Sequence, residues 1–197
     1  MATYPDALTV GEARARYFAA NGFGDGGYDA RWVKLQAGPI PLRFPNTAAR
    51  VAAVRLHDIH HVVTGYETTW TGEAEIGAWE IGSGCARHWA AWVLNLQALA
   101  IGLFIAAEAV FRAYVRGRRS ANLYAGQFDE ALLAPSVGAL RRQLGLDGPV
   151  RATTAADRVG FAAWALASVV TLLVTVVVSV LPMAAMVAVA ARVARSW

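Results

Sequence analysis

Charge is scarce in this chain. Asp, Glu, Lys and Arg make up 16% of its residues, against about 25% in an ordinary soluble domain. Hydrophobic residues make up 56%, and the mean hydropathy is +0.38. That balance excludes a domain bathed in water on every side: the chain either enters a bilayer or surrounds something greasy. Lysine is nearly absent. Lys34 stands alone among eighteen basic residues, and the rest are Arg. The net charge is +4, yet no basic run carries interleaved aromatics, so the footprint of a nucleic-acid binder is missing. The densest basic spot, "RGRRS" at 116–120, suits the end of a helix, where positive charge complements the dipole. Contact with anionic headgroups or phosphate is its other possible use. The single cysteine, Cys85, excludes an intramolecular disulfide and any zinc site built from several thiolates. It reads as structural. The opening residues lack an apolar core after a basic start, so no signal peptide is expected.

Against this thin background, polar chemistry is concentrated in "HDIHHVVTGYETTWTGE" at 57–73, which holds three of the four histidines. The flanking sequence predicts helices. "TVGE" at 9–12 has capping-box spacing, with Thr9 as the cap and Glu12 reaching back. A short helix to about Ala20 follows and ends at "NGFGDGG". "ARWVKLQ" suits a short extended piece, and "GPIPLRFPNT" reads as a proline-punctuated loop. A helix is predicted from Asn46 or Thr47 to about Val63. Gly65 and Gly72 then bracket a turn, and a second helix opens at Glu73 and stops near "GSG" at 82–84.

His57 and His61 are four apart, so on a helix they stack on one face about 6 Å apart. Asp58 lies about 100° around from His57, three residues before His61, and reaches the same edge. Glu73 follows twelve residues after His61, about 18 Å away on a straight helix. A turn at 65–72 that folds the second helix back can bring it opposite. Two neutral imidazoles and two carboxylates match a divalent cation. N and O donors suit zinc, and also iron(II) or manganese. The expected metal and catalytic set is therefore His57, Asp58, His61 and Glu73. His60 points away and reads as a supporting or surface residue. Glu67 lies in the turn, and Glu75 and Glu80 lie on the following helix, where Glu80 shares Glu73's face and can support the site. His88, before an apolar helix, reads as structural. The "HD" pair also occurs in metal phosphohydrolases, but those need a further upstream histidine, and none precedes His57.

The run at 89–107 has no formal charge. It reads as a buried helix of the folded domain, prolonged by Glu108 and Arg112. The stretch 123–146 reads as a compact helical tail broken at 134–136, and 147–158 as a linker. Residues 159–191 then contain no charge over thirty-three positions, where about twenty suffice to span a bilayer. A transmembrane helix is expected at about 160–181, with a kink at Pro182 and helix continuing to Arg192 and Arg195. A tight hairpin of two spans is the alternative. Arg141, Arg142, Arg151 and Arg158 precede the span, which places the main domain on the cytoplasmic side. The expected architecture is all-α: a helical domain at 1–146, a linker at 147–158 and a membrane anchor at 159–197.

His57-Asp58-x-x-His61, eleven residues, then Glu73 resembles the HDxxH-x11-E signature of the coenzyme Q biosynthesis protein four family. "AYVRGRRSANLYAGQFDEALLAPSVGALRRQLGL" at 113–146 is similar to that family's closing segment, and "ARARYFAANGF" at 13–23 is a looser match to its first helix. The resemblance covers roughly 10–146. It implies an all-helical, dimer-forming protein at a membrane surface. It also implies a divalent metal, usually zinc, on residues matching His57, Asp58, His61 and Glu73, with a greasy pocket for an isoprenoid tail beside it. The helix at 89–111 is the expected pocket wall. The implied role is in ubiquinone biosynthesis, through ring decarboxylation with hydroxylation of a polyprenyl aromatic acid. The alternative is a scaffold that holds the polyprenyl quinone precursor, or another isoprenoid lipid, for partner enzymes. The apolar segment at 159–191 lies past the family's usual end and suggests an integral anchor.

Overall fold

The computed structural model describes residues 4–37, 40–149, 152–180 and 192. The expected kink at Pro182, the continuation to Arg195 and the second limb of a hairpin span lie outside these residues. The chain is mostly helical. α1 (Val10–Asn21) starts as predicted: the Thr9 hydroxyl accepts the Glu12 N–H, and the Glu12 carboxylate accepts the Thr9 N–H at 2.8 Å. Gly22, at φ 66°, ends it.

Two strands follow, β1 (Trp32–Ala37) and β2 (Ile40–Pro45), paired antiparallel with Leu35 opposite Leu42. This corrects the reading of 38–47 as a loop and agrees with an extended piece at "ARWVKLQ", while the described residues remain mostly helical. In a two-stranded ribbon both strands are edges, and every second residue turns its N–H away from the partner. Pro41 and Pro45 are spaced to share that side.

α2 (Ala48–Thr64) is capped by Thr47 and closed by Gly65 at φ 79°. Its last two turns are buried almost all round, from Leu56 through Thr64 with only His57 partly open. α1 lies against it through Ala13, Tyr17, Phe18 and Val62. α7 (Val137–Gln143) closes another side through Leu140, with Val10, Ile59 and Val63. The short α6 (Glu130–Leu133) precedes α7.

α3 (Trp70–Ser83) begins three residues earlier than predicted, because Thr69 caps it. Gly72 is therefore inside the first turn of the helix and does not bracket the connection. Its need for glycine is steric: a Cβ there would stand 2.0 Å from the Glu67 carbonyl oxygen. The connection is the tight stretch 65–69.

The apolar run forms two helices, α4 (Trp89–Ile105) and α5 (Ala107–Gly117), separated at Ala106 with φ −157° and ψ 44°. This replaces the single prolonged helix. Neither Gly nor Pro stands at the bend itself, but Gly102 lies one turn before it, and Val110 folds back onto Gly102, where a Cβ would meet Val110 Cγ2 and Ala74 Cβ at 2.6 Å. Both helices pack on α3 around Trp79, which is fully buried.

α4 is buried on one side only. Trp89 is 62% and Phe104 81% exposed, which corrects the expectation of a helix enclosed in the core. α8 (Ala155–Thr175) covers part of the remainder. Trp164 stacks on Trp92 at 5.1 Å, Phe161 meets Phe111 at 5.0 Å, and Gln97 donates to the Thr175 hydroxyl at 3.1 Å. Thr154 and Asp157 form a second capping box, so the helix starts inside the stretch expected to be linker. Arg118 and Arg119 reach Asp157 at 3.1 and 2.8 Å and tie its foot to the domain. The helix continues through a π-helical stretch, Val176–Val180. It is long and apolar enough to cross a membrane, and its outer face, with Leu166 at 68% exposure, is uncovered.

Candidate metal centre

Helical spacing puts His57 and His61 on one face of α2, and the tight turn at 65–69 brings Glu73, in the first turn of α3, across from them. The two Nε2 atoms stand 3.1 Å apart. Glu73 Oε2 lies 3.5 Å from the His57 nitrogen and Glu73 Oε1 lies 3.5 Å from that of His61. Donor atoms of these three residues all fall within 4.8 Å of one another, a grouping that can hold a metal ion.

The outer nitrogens fix the tautomers. His61 Nδ1 faces the Tyr66 carbonyl at 2.8 Å, an acceptor, so it carries the proton. His57 Nδ1 faces Glu80 Oε1 at 2.8 Å and donates likewise. Both Nε2 atoms therefore turn lone pairs toward a carboxylate. Two lone pairs and an anion at such distances repel unless a cation sits among them, either a proton or a metal. Tyr17 stacks on His61 with ring centres 5.4 Å apart and holds its plane. Three protein ligands leave a position open, the arrangement of catalytic rather than closed structural zinc sites. Two histidines and one carboxylate also suit iron(II). The Glu73 side chain is 39% exposed, so the centre is reachable from outside.

Glu80 is the anchor beneath. Its carboxylate is fully buried and accepts four hydrogen bonds: His57 and His60 at Oε1 (2.8 and 2.6 Å), Asn95 and Tyr124 at Oε2 (2.5 and 2.8 Å). Burial alone would raise its pKa, but His57 and His60 outweigh that and hold it well below the usual carboxylate range. His60 is buried, not at the surface. Its Nε2 accepts the Leu123 N–H at 3.0 Å, which makes it a neutral donor to Glu80, and burial pushes its pKa down. Burial acts downward on His57 too, but the Glu80 and Glu73 carboxylates prevail and hold it well above the ordinary imidazole value. Glu73 behaves as the counterpart: burial raises it, and the two facing histidines, once protonated, more than reverse this.

Asp58 is not among the converging groups. Its Oδ2 accepts the Tyr28 hydroxyl at 2.5 Å. Burial pushes its pKa up against that hydrogen bond. Tyr28 is held in place by Asn46, whose side-chain amide donates to the carbonyls of Gly27, Tyr28 and Ala30. Glu67 is exposed in the turn. His88 packs against Tyr124 at 5.0 Å, away from the centre. Cys85 is buried, and its thiol is pushed up by that burial and by Glu80.

Tyr28, Asn95 and Tyr124 contribute to the site without a signature of their own. Asn95 left one trace, as a polar residue inside an otherwise apolar helix. Comparison with known proteins returns no matching family model, no matching characterised protein and no matching solved structure.

Proposed function

We propose that this chain is a membrane-anchored, metal-dependent protein of ubiquinone (coenzyme Q) biosynthesis. In this reading it binds a polyprenylated aromatic acid beside a divalent metal and supports loss of the ring carboxyl group, the hydroxyl arriving from an external oxygen-atom donor. The observation that carries it is the convergence of His57 Nε2, His61 Nε2 and Glu73 with a position left open. The metal expected first is zinc, with iron(II) or manganese compatible with the same donors. A divalent ion held there supplies Lewis acidity toward phenolate and carboxylate oxygens.

The chain's own residues supply the rest. Glu80 keeps His57 oriented and basic, and the Tyr66 carbonyl orients His61. The partly open side of Glu73 admits a headgroup. The apolar faces of α4 and α8, adjoining each other, offer a path for an isoprenoid tail confined to the bilayer. With α8 crossing the inner membrane, the arginines before it favour a domain on the cytoplasmic side. The uncovered apolar face of α4, which includes Trp89 and Phe104, favours one second reading: a scaffold that presents the lipid to partner enzymes.

The test is metal analysis and native mass spectrometry of the chain in mild detergent, with complementation of a strain blocked at ring decarboxylation. About one divalent ion per chain, lost in Glu73→Gln together with complementation, supports catalysis. Full complementation by metal-free Glu73→Gln leaves only the scaffold. Finding neither metal nor bound isoprenoid sinks both.

A further inference from the structure

Beside the metal centre lies a cluster of cations that the site as described does not use. Arg14 comes from α1, and Arg50 and Arg55 from α2. The Arg14 and Arg55 guanidiniums share the same two rings. They lie 5.4 and 5.0 Å from the centre of Tyr28, and 5.2 and 5.6 Å from that of Phe128. Arg50 stands over Phe44 at 5.8 Å and donates to the Asn46 side chain. Each of the three has a buried Nε with no hydrogen-bond partner among the described residues.

The available counter-charge does not balance them. Asp58 neutralises one charge and already accepts the Tyr28 hydroxyl. Asp129, next to Phe128, caps the Leu132 N–H. Aromatic faces stabilise guanidinium groups but accept no directed hydrogen bond. Three arginines, each with an unpartnered Nε–H among the described residues, around a half-buried aromatic floor are the chemistry that grips a planar or tetrahedral oxyanion by paired hydrogen bonds. The cluster also adjoins the centre. The link is Tyr28, whose ring the Arg14 and Arg55 guanidiniums share and whose hydroxyl bonds to Asp58, the neighbour of His57; Arg55 itself, two residues before His57, projects from another face of α2.

We propose that Arg14, Arg55 and Arg50 form an oxyanion subsite that holds the carboxylate or phosphate headgroup of the ligand beside the His57–His61–Glu73 centre, with Tyr28 and Phe128 flanking it. This deepens the reading above and rests on it for the neighbouring metal. The subsite itself needs no metal, so the two can fail separately.

The metal-stripped full chain in mild detergent, at low ionic strength, is titrated calorimetrically with inorganic phosphate and with 4-hydroxybenzoate. Saturable binding of at least one probe is expected. Arg14→Gln and Arg55→Gln should each weaken it about tenfold or more, the usual effect of losing a charged hydrogen bond. Zinc stoichiometry on reloading should stay unchanged in both. Tighter binding of phosphate marks a phosphorylated lipid as the source, and tighter binding of 4-hydroxybenzoate marks an aromatic acid. No saturable binding of either probe, or equal affinity in the glutamine variants, overturns the subsite. Should a glutamine variant not fold, as judged by circular dichroism, Arg14→Lys and Arg55→Lys replace it. They keep the charge but lose the fork, and unchanged affinity in them overturns the proposal equally. Anion binding intact in a wild-type chain that takes up no zinc would instead dismiss the metal reading and leave the subsite standing.

Discussion

Replacing Glu80 by glutamine keeps the shape of the side chain and removes the charge beneath the centre. Oε1 accepts from both His57 and His60, and Oε2 from Asn95 and Tyr124. An amide has one oxygen, so whichever pair it serves, its NH2 faces the other pair of donors. With the oxygen toward the histidines, Tyr124 can rotate its hydroxyl to accept, and the Asn95 amide must flip. The network survives in part, at a cost of about 1–3 kcal/mol for weakened hydrogen bonds to a formerly charged group. The larger effect falls on His57. Its Nδ1–H loses an anionic acceptor, its Nε2 becomes a poorer donor, and metal affinity should fall about 10–100-fold. That is about 1.4–2.8 kcal/mol by the same tenfold conversion. The assay is calorimetric zinc titration of the stripped protein against pH. Metal binding needs a neutral imidazole, so binding displaces a proton, and affinity falls with falling pH once His57 protonates. The pKa of wild-type His57 is raised by Glu80 and Glu73, so this fall begins above the ordinary histidine value. In Glu80→Gln it should begin at lower pH. Unchanged affinity together with an unchanged pH profile would refute the view that Glu80 orients and charges His57.

Three further outcomes are expected. Asp58→Asn should retain about one metal ion per chain while Glu73→Gln loses it, since Asp58 bonds to Tyr28 rather than joining the converging groups; equal loss in both would place Asp58 among the ligands. Gly72→Ala forces the turn away from α3, because its Cβ would stand 2.0 Å from the Glu67 oxygen. Overpacking of this kind costs about 1–3 kcal/mol, so thermal melting should drop by roughly 2–12 °C for a chain of this size. The full chain should stay in the membrane pellet through an alkaline carbonate wash and leave it only with detergent. Release by carbonate would show that α8 lies on the bilayer rather than across it.

Local signals were legible wherever a single stretch of chain sets the outcome. The Thr9–Glu12 capping box, Thr47 as the start of α2, and the His57–His61 pair with Glu73 returning across a short turn are all written in residue type and spacing. Features set by distant contacts were not. The bend at Ala106 has no glycine or proline at the break itself, and it goes with the seating of Val110 on Gly102. The strand that carries Pro41 and Pro45 resembled a loop because prolines argue against strands except at edges, and a lone ribbon is all edge. Asp58 has the spacing of a ligand, but Tyr28, thirty residues earlier, bonds to its carboxylate outside the converging group. Tyr124 and Asn95 reach Glu80 from elements whose approach no local pattern announces.

The stretch 65–69 has a consequence for how the protein responds to its metal. The Tyr66 carbonyl fixes the proton on His61, and the same few residues set where α3 begins and hence where Glu73 stands. Of the three converging residues, this connection steadies His61 and delivers Glu73. An ion that draws His61 and Glu73 together therefore also clamps the junction of α2 and α3. Amide hydrogen exchange should report the two helices as separate opening units in the stripped protein and as a single cooperative unit once loaded, with the strongest new protection at the start of α3.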